Sequence, residues 1–204
     1  MKFIKYLSLS FILLHGSSVL GQEHELVSKE KLFPKHQLTI EPALGMNPAP
    51  TSDLVVSNLL QWNMTTRFAI LSHTSYSYNN AFHRNFNYIT NNYNYSIGQK
   101  LGMGISFSGK HLSQTFSVQA GIRYDAFKET LNNPEFEKVV VSIASFSPDY
   151  GFMYNLKFGK KQYFFSYRMY IPLYPYPIKS KDYTTIDGNL ANFSLELGVG
   201  IHIK

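Results

Sequence analysis

The chain of 204 residues has no cysteine, one tryptophan and little charge, with Asp, Glu, Lys and Arg together making up 16% of the sequence. Without cysteine there is no disulfide framework, no thiolate metal site, no cysteine nucleophile and no lipid-modified cysteine anchor. Low charge beside a hydrophobic fraction of 44% excludes a disordered polyelectrolyte. Long apolar runs are missing too, since no segment supplies the ~20 consecutive apolar residues that a membrane-crossing helix needs. The basic excess, +6 from 19 Lys and Arg against 13 Asp and Glu, is spread along the chain and forms no nucleic-acid patch. What is abundant is aromatic: 15 Tyr and 16 Phe favour many short β elements.

The first 21 residues read as a secretory signal peptide. Lys2 and Lys5 form a short basic region, Phe3 to Leu14 is mostly apolar, and Ser17, Ser18 and Gly21 place small residues near a cleavage point. Residues 22–35 are polar, carry mixed charge and lack periodicity, as expected of a flexible leader.

From His36 onward the signal is alternation with period two, which points successive side chains to opposite faces of a strand. Tyr93, Tyr95, Ile97, Leu101, Met103, Ile105 and Phe107 alternate with Asn94, Ser96, Gly98, Lys100, Gly102, Gly104 and Ser106. The pattern returns at Phe116 to Tyr124, at Tyr150 to Phe158 and at Phe193 to Ile203, with weaker copies at Leu38 to Met46, Phe68 to Tyr78 and Tyr163 to Ile171. Leu54 to Trp62 is apolar on both parities, at Val55 and Leu59 as well as their neighbours, so its facing stays open. These runs predict eight strands of about nine to thirteen residues, against the ~9 to 11 that a tilted strand needs to cross a bilayer.

The connections alternate as well. Brief turns are expected at 63–66, 108–113 and 159–162, and longer loops at 79–92, 127–149 and 172–192, with 47–53 the short member of that set. Transmembrane barrels have this asymmetry, with short periplasmic turns and long outer loops. The run Val139, Val140, Val141 and Ile143 either lengthens the sixth strand or forms extra ones, and Pro148 favours lengthening above the bilayer.

A soluble ligand-binding barrel alternates too, with its apolar face inside. Side-chain size separates the two cases: Gly98, Gly102, Gly104, Gly121, Gly198 and Gly200, mixed with Ser and isolated charges, suit the crowded interior of a narrow barrel. The apolar face then points to lipid, and Tyr and Phe at strand ends suit the headgroup regions. The expected fold is all-β, an eight-stranded antiparallel up-and-down transmembrane β-barrel over residues 36–204. Parity places Glu41, Lys100, Arg123, Asp125, Lys157, Arg168 and Glu196 in its lumen. If the first and eighth strands close the barrel, Glu41 and Glu196 approach each other, and Arg168, Arg123 or Lys157 is expected to pair with them.

With these alternating strands, the unequal connections and the closing run Phe193-Ser-Leu-Glu-Leu-Gly-Val-Gly-Ile-His-Ile, the chain resembles the small outer-membrane β-barrel proteins of Gram-negative bacteria, of the OmpA/OmpX type. The likeness covers about Gln37 to Lys204. It implies an outer-membrane location, contact with lipid and lipopolysaccharide, and a structural or loop-presenting role as a monomer. One departure is the end Ile201-His202-Ile203-Lys204, where such chains commonly carry an aromatic residue. Some barrels of this kind deacylate lipid A with a His and a Ser, and His73-Thr74-Ser75 puts such a pair on one strand face. Tyr76-Ser77 follows in place of the expected Asn-Ala, and no acid stands between Asp53 and Asp125. No catalytic, metal or cofactor residue is therefore expected, and no nucleic-acid partner; the alternatives kept are a lipid A hydrolase and a soluble exported ligand-binding barrel.

Overall fold

The computed structural model describes residues 36–47, 53–78, 89–131, 139–160, 162–173 and 193–203. They form eight strands: β1 (Gln37–Asn47), β2 (Asp53–Asn63), β3 (Phe68–Tyr78), β4 (Ile89–Ser108), β5 (Leu112–Leu131), β6 (Val139–Lys160), β7 (Tyr163–Pro172) and β8 (Ser194–Ile203). Each pairs antiparallel with its sequence neighbour, and β8 returns to β1 to close the barrel. Closure satisfies strand edges that would otherwise expose a row of backbone donors and acceptors. The signal peptide and leader expected over residues 1–35 lie outside the described residues, as do most of the expected loop Pro172 to Asn192 and the terminal Lys204.

Short turns gather at one end of the barrel, where residues 64–67, 109–111 and 161–162 join strands. Connections at the other end run through 48–52, 79–88, 132–138 and 174–192. At the short-turn end Gly109 N donates to Leu112 O at 2.8 Å, and Thr65 Oγ1 accepts from the Arg67 and Phe68 amides at 3.2 and 2.9 Å.

Strand length departs from expectation. β1, β2, β3, β7 and β8 have 10 or 11 residues, but β4 and β5 have 20 and β6 has 22. The β5–β6 ladder runs unbroken from Leu112↔Phe158 to Leu131↔Val139, so most of the segment 127–149, expected as a loop, is strand, and the valine run lengthens the sixth strand. Ile89 to Asn92, expected in a loop, likewise belong to β4. β6 passes through Pro148 beyond the point where β7 stops, at Pro172 opposite Gly151, and among the described residues it is paired there with β5 alone. A strand tolerates a residue without an N–H in that position.

Parity resolves as the glycines indicate. Gly98, Gly102, Gly104, Gly121, Gly198 and Gly200 all stand on the inner face, and a Cβ on Gly200 would lie 2.1 Å from the Phe164 ring. Leu101, Met103, Phe165 and Leu197 point outward and are 63–75% exposed. In β2 the outward set is Leu54, Val56, Asn58, Leu60 and Trp62, which turns Val55 and Leu59 inward. Leu59 joins Ala69, Leu71, Met153 and Tyr170 in a small apolar cluster inside the barrel. The lumen is thus mixed, which is why β2 alone does not reveal its facing.

Candidate functional site: the filled lumen

The inner face of every strand contributes polar groups, and Glu41, Lys157, Arg168 and Glu196 are at most 1% exposed. Burying charges in a narrow cavity is costly unless each meets an opposite charge or hydrogen-bonding partners. The side chains meet in three levels.

Nearest the short turns, Lys157 on β6 reaches across to Glu41 on β1, and Asn155 Nδ2 donates to the other carboxylate oxygen at 3.0 Å. Thr39 Oγ1 also donates to Glu41, at 2.9 Å, and Gln61 Nε2 donates to Asn63 Oδ1 at 2.9 Å. Ser106 and Thr115 hydroxyls lie 2.8 Å apart beside them.

At mid-height, Glu196 on β8 is the hub. Ser57 and Ser194 hydroxyls donate to it at 2.5 and 2.8 Å, Arg168 Nε stands 3.5 Å away and His73 Nε2 3.6 Å away. Arg168 joins the first two levels, since its Nη2 donates to the Glu41 carbonyl at 2.9 Å.

Toward the far end, Lys100 pairs with Asp149 at 3.0 Å, and the Tyr170 hydroxyl donates to the same carboxylate at 2.5 Å while its ring faces the Lys100 ammonium at 4.2 Å. Arg123 Nε pairs with Asp125 at 2.8 Å, and Ser147 donates to that carboxylate at 3.2 Å.

All seven lumen residues inferred from parity stand on the inner face, but they divide differently from expectation. Glu41 and Glu196 do not meet. β1 and β8 are neighbours, yet Glu196 lies beside Gly45, four rungs from Glu41, or roughly 13 Å along the strand. Each carboxylate has its own cation, and Arg123 serves Asp125 instead of either. Parity does not carry register, and the shear between strands decides which charges share a level.

His73, which strand parity directs inward, completes the network together with Asp149 and Tyr170, and these last two were not among the residues inferred. Asp149 continues the odd-numbered inner face of Gly151, Met153, Asn155 and Lys157, and Tyr170 continues the even-numbered face of Ser166 and Arg168, so parity carried both. His73 and Ser75 do share the inner face, and β8 supplies the acid that the local sequence lacked. The order is nonetheless wrong for hydroxyl activation, in which the serine must bond the base. Ser57 donates to Glu196, and among the described residues both His73 ring nitrogens lack a hydrogen-bond partner.

The outer face is the converse. Between the rims the described outward positions hold no charged side chain, and apart from tyrosine their polar residues are Asn58, Ser72, Thr74, Gln99 and Gln114. Aromatic rings gather toward both ends. Trp62, Phe68, Phe107, Phe158, Tyr163 and Phe165 stand near the short turns. At the other end Tyr76, Tyr95, Tyr124 and Phe146 form a chain of ring contacts, with centroids 6.3, 6.4 and 4.9 Å apart. A soluble ligand-binding barrel, with apolar residues inside and polar ones outside, has these faces the other way round.

No protein-family model matches this chain, and no curated protein sequence matches it. Among solved structures it is similar to the N-terminal β-barrel domain of Pseudomonas aeruginosa OprF, at 12% identity over 85% of this chain and 100% of that one, with a TM-score of 0.45. It is also similar to Ail, the attachment invasion locus protein of Yersinia pestis, at 9% identity over 82% and 97% with a TM-score of 0.49, and to Neisserial surface protein A, at 10% over 82% and 94% with 0.42. At these identities the likeness extends to the fold alone.

Proposed function

We propose that this chain is an integral outer-membrane β-barrel whose filled lumen makes it a rigid stem, and whose task is to hold chain segments at the membrane surface. The observation that carries the proposal is the outer wall, a closed surface of aliphatic and aromatic side chains without a described charge between its rims. In water such a wall is a very large exposed apolar patch, whereas in a bilayer it is the expected band. The eight charged residues of the three levels fill the interior of an eight-stranded barrel, so side chains occupy the space that a wider barrel leaves as a channel. The β4–β6 extension supports the presenting role, because it prolongs the rigid sheet beyond the five shorter strands.

The test is extraction. After expression in a Gram-negative host, the protein is expected to stay with the outer-membrane fraction through alkaline carbonate and to leave it only in detergent. Recovery in the soluble periplasmic fraction overturns the proposal. The same cells test orientation: a tag inserted at 132–137 is expected to bind antibody on intact cells, and one at Lys160-Lys161 only after lysis.

A further inference from the structure

The wall is hollow at one stretch of the short-turn rim. Phe158 on β6 faces Phe165 on β7, and Phe165 faces Val199 on β8, so three outward side chains form one rung across neighbouring strands. With Tyr163, Phe164 and His111 they line an almost wholly apolar groove of about 490 Å³, within the ~300 to 1,000 Å³ of small-molecule sites. Phe158, Tyr163, Phe165 and Val199 are 49–70% exposed. His111 belongs to the β4–β5 turn, and its carbonyl ties that turn to the groove by accepting from the Gly159 amide at 3.1 Å. Lys110, beside it, is exposed, and Lys160 takes the β6 position opposite Tyr163.

Folding also sorts charge by end. The stretches 64–67, 109–111 and 159–162 at the short-turn end hold Arg67, Lys110, Lys160 and Lys161 and no Asp or Glu. The connections at the other end set Arg84, Lys138, Lys179 and Lys181 against Glu135, Glu137, Asp182 and Asp187. An occupant of the groove therefore has to be apolar along the wall and anionic at the rim. We propose that the groove seats an anionic phospholipid of the periplasmic leaflet, with an acyl chain along Phe158, Phe165 and Val199 and its phosphate beside Lys110 and His111. The inference rests on the membrane placement and orientation above. Phosphate oxygens accept hydrogen bonds from the Lys110 ammonium and from a ring N–H of His111, and basic pockets at a bilayer edge bind lipid headgroups in this way. Lipopolysaccharide lies in the opposite leaflet, beside the end whose charges balance. An acidic periplasmic protein would meet the cations and leave the outward rung uncovered.

A tryptophan placed in the groove reads the occupant. In one variant Trp62→Phe removes the chain's only tryptophan and Phe165→Trp puts one on the rung; in the control, Trp62→Phe is combined with Leu101→Trp on the outward face of β4. Each full-length protein is reconstituted in phosphatidylcholine vesicles containing a minor fraction of brominated phosphatidylglycerol or, in parallel, brominated phosphatidylcholine. The groove tryptophan is expected to be quenched preferentially by the anionic lipid, with a relative affinity of about fivefold, the effect of one basic residue at a membrane surface. The control is expected to show no preference. Adding Lys110→Gln and His111→Gln to the groove variant is expected to abolish the preference while quenching by brominated phosphatidylcholine persists. The same preference at both sites, a preference that survives the two glutamines, or no quenching of the groove tryptophan by either lipid, which would mean that something else covers it, each overturns the site. The control separates the two levels of the argument: quenching of Leu101→Trp without preference in the groove sinks the phospholipid site alone, and no quenching of Leu101→Trp by any brominated lipid sinks the membrane placement beneath it.

Discussion

The two faces of the same strands obey opposite rules. On β8, Ser194, Glu196, Gly198, Gly200 and His202 point inward while Leu195, Leu197, Val199, Ile201 and Ile203 point outward. One backbone with period two supplies both, and the difference shows where burial ends. Inside, polar groups are buried and tied to one another; outside, large apolar groups are left exposed by the chain's own fold. A barrel built this way derives little stability from an apolar core in the ordinary sense. Hydrogen bonds, ion pairs and glycine-permitted packing hold the lumen, and the outer wall relies on a medium that is not water.

If that contrast is right, the largest loss should come from uncoupling a buried charge. Glu196→Gln leaves Arg168 beside a neutral partner, and breaking a buried pair of this kind typically costs about 3 to 5 kcal/mol. Melting of the detergent-folded barrel is expected to fall clearly, while Lys110→Met in the exposed turn should change stability by less than about 0.5 kcal/mol. Equal melting of the two variants would break the contrast on its inner side.

The outer side is tested by reversing polarity. Leu101→Arg is expected to cost about 2 to 4 kcal/mol of folding free energy in lipid vesicles, as a cation near the midplane of a barrel wall does. On a protein surface facing water the same change is close to neutral, so a neutral result in vesicles would remove lipid from the account. A smaller effect sharpens the packing claim. Gly200→Val would push a methyl into the Phe164 ring, and overpacking of that kind costs about 1 to 3 kcal/mol. The double variant Gly200→Val with Phe164→Ala is expected to recover part of this loss in denaturant titration.

How much of this was legible depended on what each strand repeats. β4 and β8 alternate bulky with small or charged residues almost without exception, and their faces follow from sequence. β2 was ambiguous because Val55 and Leu59 both turn inward, Leu59 into an apolar cluster with Leu71 and Met153. Asp149 was missed because Pro148 looks like a strand end, although a strand paired on one side tolerates it. Which charges meet was not legible at all. Glu41 and Glu196 differ by four rungs of register, and register arises from how eight strands stagger on closing, a property of the whole barrel.

The most direct test of the two-faced barrel needs no substitution. Trp62 is the chain's only tryptophan and points outward from β2 near the short turns. Its fluorescence in vesicles is the measurement: phospholipids brominated along the acyl chains should quench it strongly, and aqueous iodide should quench it weakly. Strong quenching by iodide with none by brominated lipid would place this wall in water and contradict the account.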